Sequence, residues 1–315
     1  MTLPALLREL VPGTSWSRAR ELCRGGRVLV DGAAASDPAR RMAAGELVEI
    51  PLAGQPPRRL ALPATAIVHF DAELVVVKKP AGMLTVPFTD EDRDTLVTLT
   101  RAALSRLEAA RGGRSGRSKM VHGPRLRVVQ RLDKETSGLL VFARTIAAER
   151  HLQQQFRLHS VHRVYLALIH GALVRRGVGE TVICDTLLVP DRGDGLRGSW
   201  GVFRRPRGEP PEAARRAVTH VTVEETLRGA SLVSCRLETG RQHQIRIHLA
   251  EAGHPLLGEK VYVRDYAGPL LAAPRPMLHA AELGFVHPRG EREMLFEEPP
   301  PSDFDALLAR LRGRA

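Results

Sequence analysis

Cysteine, aromatic residues and lysine are all scarce in this sequence. Its 315 residues include three cysteines, and aromatic residues make up 4% of the chain. Cys23, Cys184 and Cys235 lie far apart, which excludes a disulfide framework and a CxxC metal site. This cysteine usage is typical of a reducing compartment, so we expect the cytoplasm.

Long apolar runs and cofactor motifs are also absent. No apolar stretch approaches the roughly 18 residues that a membrane-spanning helix needs, and no charged start followed by an apolar segment indicates a signal peptide. The sequence has no P-loop and no dinucleotide-binding fingerprint. His243 and His248 diverge around an expected helix and fit a zinc pair poorly. We therefore expect no membrane partner, no cofactor and no metal.

Basic residues, by contrast, are abundant, and nearly all of them are arginine. Lysine and arginine total 47 against 35 acidic residues, which gives a net charge of +12. Five of the 47 are lysine, so 42 are arginine. A genomic bias toward arginine accounts for that ratio but leaves the surplus over acidic residues unexplained. Arginine presents a planar set of donors to phosphate, so nucleic acid is the first partner to consider.

The length and the apolar content fit two folded domains. Hydrophobic residues make up 43% of the chain, which is enough to fill cores and excludes wholesale disorder. A proline-rich stretch, residues 53–63, is typical of a linker. It separates a small α/β module, residues 1–52, from a larger domain, residues 64–315.

Short-range signals in the first module predict a helix followed by a hairpin. Ser15 and Ser17 are candidate N-caps for a helix that stops at Gly25-Gly26, and Asp31-Gly32 predicts a tight turn. Charge alone leaves the arginines of this helix as either an RNA-binding face or a solvated one. The order Ser17-Arg18-Ala19-Arg20-Glu21-Leu22, Gly25-Gly26-Arg27-Val28-Leu29-Val30-Asp31-Gly32 and Gly45-Glu46 resembles the S-four RNA-binding domain. That resemblance implies RNA contacts from Arg18, Arg20, Arg24 and Arg27.

In the larger domain, one carboxylate precedes a wholly apolar strand. Asp133 stands between Arg131 and Lys134, before Thr136-Ser137-Gly138 and the run Leu139-Leu140-Val141-Phe142-Ala143. Neighbouring cations keep such a carboxylate ionised, so it could serve as a nucleophile or a base. These residues alone favour a structural role instead, in which Asp133 pairs with Arg131 or Lys134 or caps a turn.

A second segment, residues 237–250, places an arginine on a short helix. A strand ends at Thr239-Gly240, and Ile245, Leu249 and Ala252 then recur at near-helical spacing before Gly253 stops the helix. Arg246 points away from that apolar stripe. The side chain is therefore available to a site.

Together the two segments resemble the RluA-type pseudouridine synthases. The run Arg-Leu-Asp-x-x-Thr-Ser-Gly-Leu-Leu is followed by Thr-Gly-Arg-x-His-Gln-Ile-Arg-x-His-Leu. Further pieces occur in the expected order: Lys79-Pro80-Ala81-Gly82, Arg163-Val164-Tyr165, Gly253-His254-Pro255-Leu256-Leu257-Gly258, Leu278-His279-Ala280 and Phe285-Val286-His287-Pro288. The resemblance covers about residues 64–300.

The resemblance implies both a fold and a chemistry. It implies an α+β domain with a mixed, largely antiparallel sheet and flanking helices. It implies an enzyme that isomerises uridine to pseudouridine in RNA without a cofactor, with Asp133 as the catalytic aspartate. Tyr165 matches the tyrosine that stacks on the target base, and Arg246 matches the arginine that pairs with the aspartate. Arg131 and Arg241 are expected to contact RNA.

The sequence also suggests a substrate class and an assembly. Ribosomal RNA is the favoured substrate, transfer RNA remains open, and a monomer is the simplest assembly. Residues 101–150 carry twelve basic and four acidic residues, so we expect the positive charge to concentrate near Asp133. The basic stretch from Arg111 to Arg127 is a mobile surface loop, an electrostatic arm for phosphates, or both.

Two other functions stay open. Gln130 stands where the family has histidine, Arg163 where it has lysine, and Glu259 where it has aspartate. The first departure motivates a non-catalytic RNA-binding or ribosome-assembly protein on the same fold. A nucleosidase that releases the base would also need a carboxylate near C1′, but no residue here marks a partner that activates water.

Overall fold

The computed structural model describes residues 1–26, 28–35, 37–43, 45–50, 61–89, 92–110, 125–172, 177–203 and 208–313. The chain forms two compact units, Met1–Leu60 and Ala61–Ala315. Most of the expected linker, Arg27 and residues 111–124 of the basic stretch lie outside the described residues. Within the described ranges, no helix is long and apolar enough to cross a membrane.

The first unit consists of two helices and a three-stranded sheet. Helix α1 spans Leu3–Leu10 and α2 spans Trp16–Arg24; the sheet has the order β2-β1-β3, with β1 Leu29–Val30, β2 Ala33–Ala34 and β3 Val48–Glu49. Ser15 caps α2, because its side chain accepts the backbone N–H of Arg18 at 3.1 Å, whereas Ser17 lies inside the helix. Asp31 and Gly32 both adopt positive φ, 51° and 75°, as the predicted tight turn requires.

The second unit contains the remaining elements in a mixed order. Its strands are β4 Ile67–Phe70, β5 Leu74–Lys79, β6 Arg127–Val128, β7 Ser137–Ala143, β8 His162–His170, β9 Thr181–Val189, β10 Gly198–Ser199, β11 Arg215–Leu227, β12 Ala230–Leu237, β13 Leu278–Val286 and β14 Glu293–Glu297. Its helices are α3 Leu96–Ala110, α4 Ile146–Arg157, α5 Gln244–Glu251 and α6 Ser302–Leu311, with a short 3₁₀ turn at Ala64–Ala66.

These strands form one eleven-stranded sheet. Its order is β10-β9-β11-β12-β8-β13-β7-β5-β4, with β14 paired to β13 and β6 paired to β7. The described pairs are antiparallel except β7 with β13, which run parallel. The expected α+β fold with a largely antiparallel sheet and flanking helices is therefore confirmed.

Strand β7 lies between β13 and β5 in this sheet and is buried along its whole length. Its side chains alternate between two cores: Leu140 and Phe142 pack on the α3 and α5 side, and Leu139 and Val141 pack on the α4 side. Gly138 has φ +113°, and a Cβ there would lie 2.2 Å from the carbonyl oxygen of Ala280 on β13. Because glycine permits this close approach of the two backbones, the start of β7 and the loop before it lie directly against β13.

Candidate active site

An open cleft of about 810 Å³ lies in the second unit, in the size range of ligand sites. Most of its walls come from residues 84–88, the loop 129–136, the end of α4, strand β8 and the segment 240–246, and Leu237, Pro276 and Leu278 complete them. Asp133, Tyr165, Arg246, Arg131 and Arg241 all line it. The structure thus brings together every site residue that the sequence predicted in this unit.

The loop that carries Asp133 is fixed by side chains from distant segments. The buried hydroxyl of Thr85 accepts the backbone N–H of Leu132 at 3.2 Å and donates to its carbonyl oxygen at 3.0 Å. Arg275, also buried, donates to the carbonyl oxygen of Glu135 at 3.0 Å. Asp133 therefore lies between two clamped points.

Lys79, which is 1% exposed, also binds the loop that carries Asp133. Its ammonium group donates to three carbonyl oxygens, those of Met83 at 2.7 Å, Lys134 at 2.8 Å and Pro80 at 3.0 Å. Burial lowers the pKa of Lys79 to about 7, although the loop carboxylates oppose that shift. The lysine of the Lys-Pro-Ala-Gly motif thus ties β5 to the residue that follows Asp133.

Helix α5 is anchored to β11 by a buried glutamine. The side-chain oxygen of Gln244 accepts from the Thr239 hydroxyl at 2.7 Å and the Arg241 backbone N–H at 3.0 Å. Its amide donates to the carbonyl oxygen of Val218 and the hydroxyl of Thr219. These bonds tie the first residue of α5 to β11 and to the turn before the helix, which holds the segment that carries Arg246 in place.

Arg246 is oriented by Glu259 and faces Asp133. The guanidinium of Arg246 donates to both carboxylate oxygens of Glu259, each at 2.7 Å. Its Nη1 atom lies 3.5 Å from Oδ2 of Asp133. The Glu259 side chain is fully buried. Burial would raise the pKa of Glu259, but the bonds from Arg246 outweigh burial and lower it, so the pair stays charged.

The structural alternative for Asp133 is wrong in its choice of partners. Among the described residues, the basic groups within ion-pair distance of Asp133 are Arg246, and His243 at 3.9 Å, rather than Arg131 or Lys134. Arg131 is exposed at the cleft. Asp133 is therefore paired across the fold, by side chains at the start of α5 and just before it, and not by its neighbours in sequence.

Tyr165 lies on β8, opposite Cys235 of β12 and Ala280 of β13. The residue is 8% exposed and lines the cleft. Burial raises the pKa of Tyr165; Arg163 opposes the shift and Asp133 adds to it. The phenol is therefore neutral at ordinary pH, with its ring at the floor of the cleft.

The cleft is rich in arginine, and part of the basic stretch that was expected to supply its charge, residues 111–124, lies outside the described residues. The described basic residues of 101–150 are partly engaged elsewhere: Arg127 pairs with Glu149, and Arg144 pairs with Glu108. Arginines from several elements line the cleft, namely Arg131, Arg157, Arg163, Arg241 and Arg246. Among the described residues, arginines from several parts of the second unit therefore contribute positive charge around Asp133.

In the first unit, the predicted arginines are exposed. Arg18, Arg20 and Arg24 lie on the solvent side of α2, and Arg18 pairs with Glu21 at 2.9 Å. Trp16, which is 45% exposed, has the guanidinium of Arg20 5.7 Å and that of Arg8 4.6 Å from its ring centroid. Sequence reasoning missed Trp16 and Arg8, although an exposed aromatic among arginines is a signal for nucleic-acid binding.

Other residues of the site also went unrecognised from the sequence. Thr85 carries no signal of its own, because its partner Leu132 is 47 residues away. His243 was considered only as a metal ligand, and the described residues hold no group of three or more potential ligands. Gln130, by contrast, was noted in the sequence as a departure from the family; it lines the cleft, and its Nε2 has no hydrogen-bond partner among the described residues.

A carboxylate paired with a clamped arginine in an arginine-lined cleft defines an enzyme that acts on nucleic acid. A family model for RNA pseudouridylate synthase matches residues 73–251, and a model for the S4 domain matches residues 1–48. The chain belongs to the RNA pseudouridylate synthase family, which isomerises uridine to pseudouridine in RNA. The resemblances seen in the sequence are confirmed.

Curated relatives and a solved structure agree with this assignment. Ribosomal large subunit pseudouridine synthase D of Zymomonas mobilis is 35% identical over 98% of this chain and 93% of its own length. The protein of the same name from Nitrosomonas europaea is 34% identical over 99% and 85%. The structure of human RNA pseudouridylate synthase domain containing 4 covers 79% of this chain and 93% of its own, with a TM-score of 0.58 at 23% identity, which shows a shared fold. None of these relatives favours the non-catalytic alternative.

Proposed function

We propose that this chain isomerises uridines of ribosomal RNA to pseudouridine, with Asp133 as the carboxylate that acts on the target nucleotide. The observation that carries the proposal is the pairing of Asp133 with Arg246, which Glu259 holds in place at the wall of an arginine-lined cleft. Ribosomal RNA is proposed because the two relatives described above are named for the large ribosomal subunit.

The reaction needs a carboxylate but consumes no second substrate. The N1–C1′ bond breaks, the uracil turns, and a C5–C1′ bond forms; the proton on C5 leaves, and N1 gains one. Three first steps are open to Asp133: attack at C1′, addition at C6 and abstraction of a ribose proton. In each of them the carboxylate must be ionised and held at a fixed angle, which Arg246 provides.

The other cleft residues have complementary roles. Tyr165 presents a buried aromatic ring on which the uracil stacks, and it is the candidate for the proton transfer from C5. Because its phenol is neutral, the hydroxyl oxygen accepts the C5 proton as its own proton passes to solvent in the open cleft. The target base must leave its stack, at a cost of a few kcal/mol. Phosphate contacts from Arg131 and Arg241, which line the cleft, offset that cost.

The N-terminal RNA-binding module, residues 1–52, contributes further RNA contacts through Arg18, Arg20 and Arg24. We place the protein in the cytoplasm as a monomer, with residues 64–315 as the catalytic domain. Transfer RNA is the second substrate class, because the same cleft chemistry accepts any unstacked uridine.

A substrate comparison tests the proposal. Protein-free large-subunit ribosomal RNA and a transfer RNA pool are incubated separately with the wild type and with Asp133→Asn, and pseudouridine is mapped by carbodiimide labelling and primer extension. New stops in ribosomal RNA that require Asp133 support the proposal. Stops confined to transfer RNA would redirect the substrate, and stops made equally by Asp133→Asn would remove Asp133 from the reaction.

A further inference from the structure

The imidazole of His243 faces the carboxylate of Asp133. Its Nε2 lies 3.9 Å from Oδ1 of Asp133, while Nη1 of Arg246 lies 3.5 Å from the other oxygen, Oδ2. Within the described part of the chain, these are the two basic side chains at ion-pair distance from Asp133. Each carboxylate oxygen therefore has its own nitrogen neighbour.

The backbone of His243 adopts a positive φ at the position that faces Asp133. Its φ and ψ are 59° and 17°, in the left-handed region, which is uncommon for residues other than glycine, although asparagine, aspartate and histidine are enriched there. It stands immediately before α5, and its carbonyl oxygen accepts the N–H of Ile247 at 2.9 Å. Such a conformation persists only where the surroundings fix it, and it clusters at functional positions.

Tyr262 holds the other edge of the imidazole. Its hydroxyl lies 2.7 Å from Nδ1 of His243, and the two rings meet edge to face at 76° with centroids 5.6 Å apart. Tyr262 is 7% exposed, and the guanidinium of Arg246 lies 5.3 Å from its ring centroid. One tyrosine thus contacts both side chains that face Asp133.

Electrostatics selects one direction for the bond between His243 and Tyr262. With the proton on Nδ1, the lone pair of Nε2 would point toward a carboxylate oxygen, which is repulsive. With Tyr262 donating its O–H to Nδ1, the proton sits on Nε2, and this N–H faces Asp133. Burial raises the pKa of Tyr262 to about 12, so the hydroxyl retains a proton to donate. Burial also lowers the pKa of His243 despite the opposing effect of Asp133, which favours the neutral ring.

We propose that His243 and Tyr262 are positioning residues for Asp133: Tyr262 fixes the imidazole tautomer, and the Nε2–H of His243 orients Oδ1 while Arg246 orients Oδ2. The inference rests on the proposed role of Asp133 as the reacting carboxylate. Because His243 faces Oδ1 and Arg246 faces Oδ2, one orientation of the Asp133 carboxylate is favoured before the uridine enters. The geometry of the first chemical step is therefore set in advance, whichever atom Asp133 approaches.

Three substitutions in the full chain separate this role from simple packing. His243→Asn tolerates the left-handed backbone but is too short to reach both Tyr262 and Asp133. His243→Gln is the matched control, because its amide N–H extends toward the place of Nε2. Tyr262→Phe removes only the hydroxyl and keeps the ring beside Arg246. Single-turnover tritium release from RNA with C5-tritiated uridine, RNA affinity and thermal melting are measured for each.

We expect His243→Asn to slow the single-turnover rate by up to about 100-fold, the scale of a misplaced catalytic group. His243→Gln recovers most of that rate, and Tyr262→Phe is slowed by about tenfold. RNA affinity stays within about twofold of the wild type in all three, since none of these groups is proposed to contact phosphate. If His243→Asn does not fold, the comparison of Tyr262→Phe with the wild type carries the test.

Two results would overturn the proposal. One is a rate for His243→Asn or Tyr262→Phe within about twofold of the wild type, or a rate and an affinity that fall in parallel. The other is an imidazole whose ¹⁵N spectrum places the proton on Nδ1 in the wild-type protein. Wild-type tritium release that is lost in Asp133→Asn would leave the proposed function standing, so the two proposals fail separately.

Discussion

The buried pair of Glu259 and Arg246 allows a quantitative prediction. Glu259→Gln removes the negative charge while it keeps the size of the side chain. Glu259 is fully buried and Arg246 is 11% exposed at its side chain, so solvent cannot replace the lost partner. The substitution leaves one amide oxygen for the guanidinium and turns an amide N–H toward it. Breaking a buried ion pair from one side costs about 3–5 kcal/mol of unfolding free energy.

This loss is large enough to measure by melting. At about 2–4 °C per kcal/mol for a unit of this size, Glu259→Gln lowers Tm by about 10 °C. Turnover falls as well, by about 10- to 100-fold, because Arg246 is no longer held toward Asp133. Differential scanning calorimetry and tritium release at a temperature where both proteins are folded give the two numbers.

Two variants control the experiment. Glu259→Asp keeps the charge, so a smaller loss of stability is expected from the shorter reach alone. Glu297→Gln changes an exposed glutamate on β14 and is expected to leave Tm and turnover unchanged. The reasoning is refuted if Glu259→Gln melts within about 2 °C of the wild type and turns over within about twofold of it.

Three further predictions concern the loop, the core and the cleft. Lys79→Met leaves three buried carbonyl oxygens without their donor and lowers the unfolding free energy by about 3 kcal/mol, measured by urea denaturation. Burial lowers the pKa of His248 to about 4 in the folded protein, so the imidazole binds a proton more tightly in the unfolded chain than in the folded one. The contribution of the neutral His248 to the unfolding free energy is fully present above about pH 6.5, and up to about 3 kcal/mol of it is lost as the pH falls toward 4. Calorimetry is expected to find a smaller loss over this pH range in His248→Gln. Arg131→Gln and Arg241→Gln each reduce the slope of log K against log salt for RNA binding by about 1, measured by fluorescence anisotropy.

Local signals in the sequence were sufficient for several elements. The apolar run 74–77 after a polar turn predicts the β4–β5 hairpin, and Ser15 predicts the start of α2, because a serine N-cap bonds only to its own helix. Gly253, with φ +84°, ends α5 as expected. Helix α1 was not predicted, since so short a helix depends on packing against α2 rather than on its own propensity.

The sequence predicted the catalytic candidates of the site but not the hydrogen bonds that orient them. Long ordered motifs identified Asp133, Tyr165 and Arg246 by resemblance. The bonds that orient them join residues remote in sequence, such as Lys79 to Lys134 and Arg246 to Glu259. No periodicity or propensity encodes such pairs, because they arise only when β5, the loop before β7 and α5 meet at the sheet.

The central claim is that Asp133 isomerises uridine in RNA, and tritium release from C5-tritiated uridine tests it most directly. The wild type is expected to release one equivalent of tritium for each pseudouridine formed, without free uracil. Asp133→Asn is expected to release none, with RNA affinity within about twofold of the wild type. Free uracil in the wild-type reaction, or tritium release by Asp133→Asn at the wild-type rate, would contradict the account.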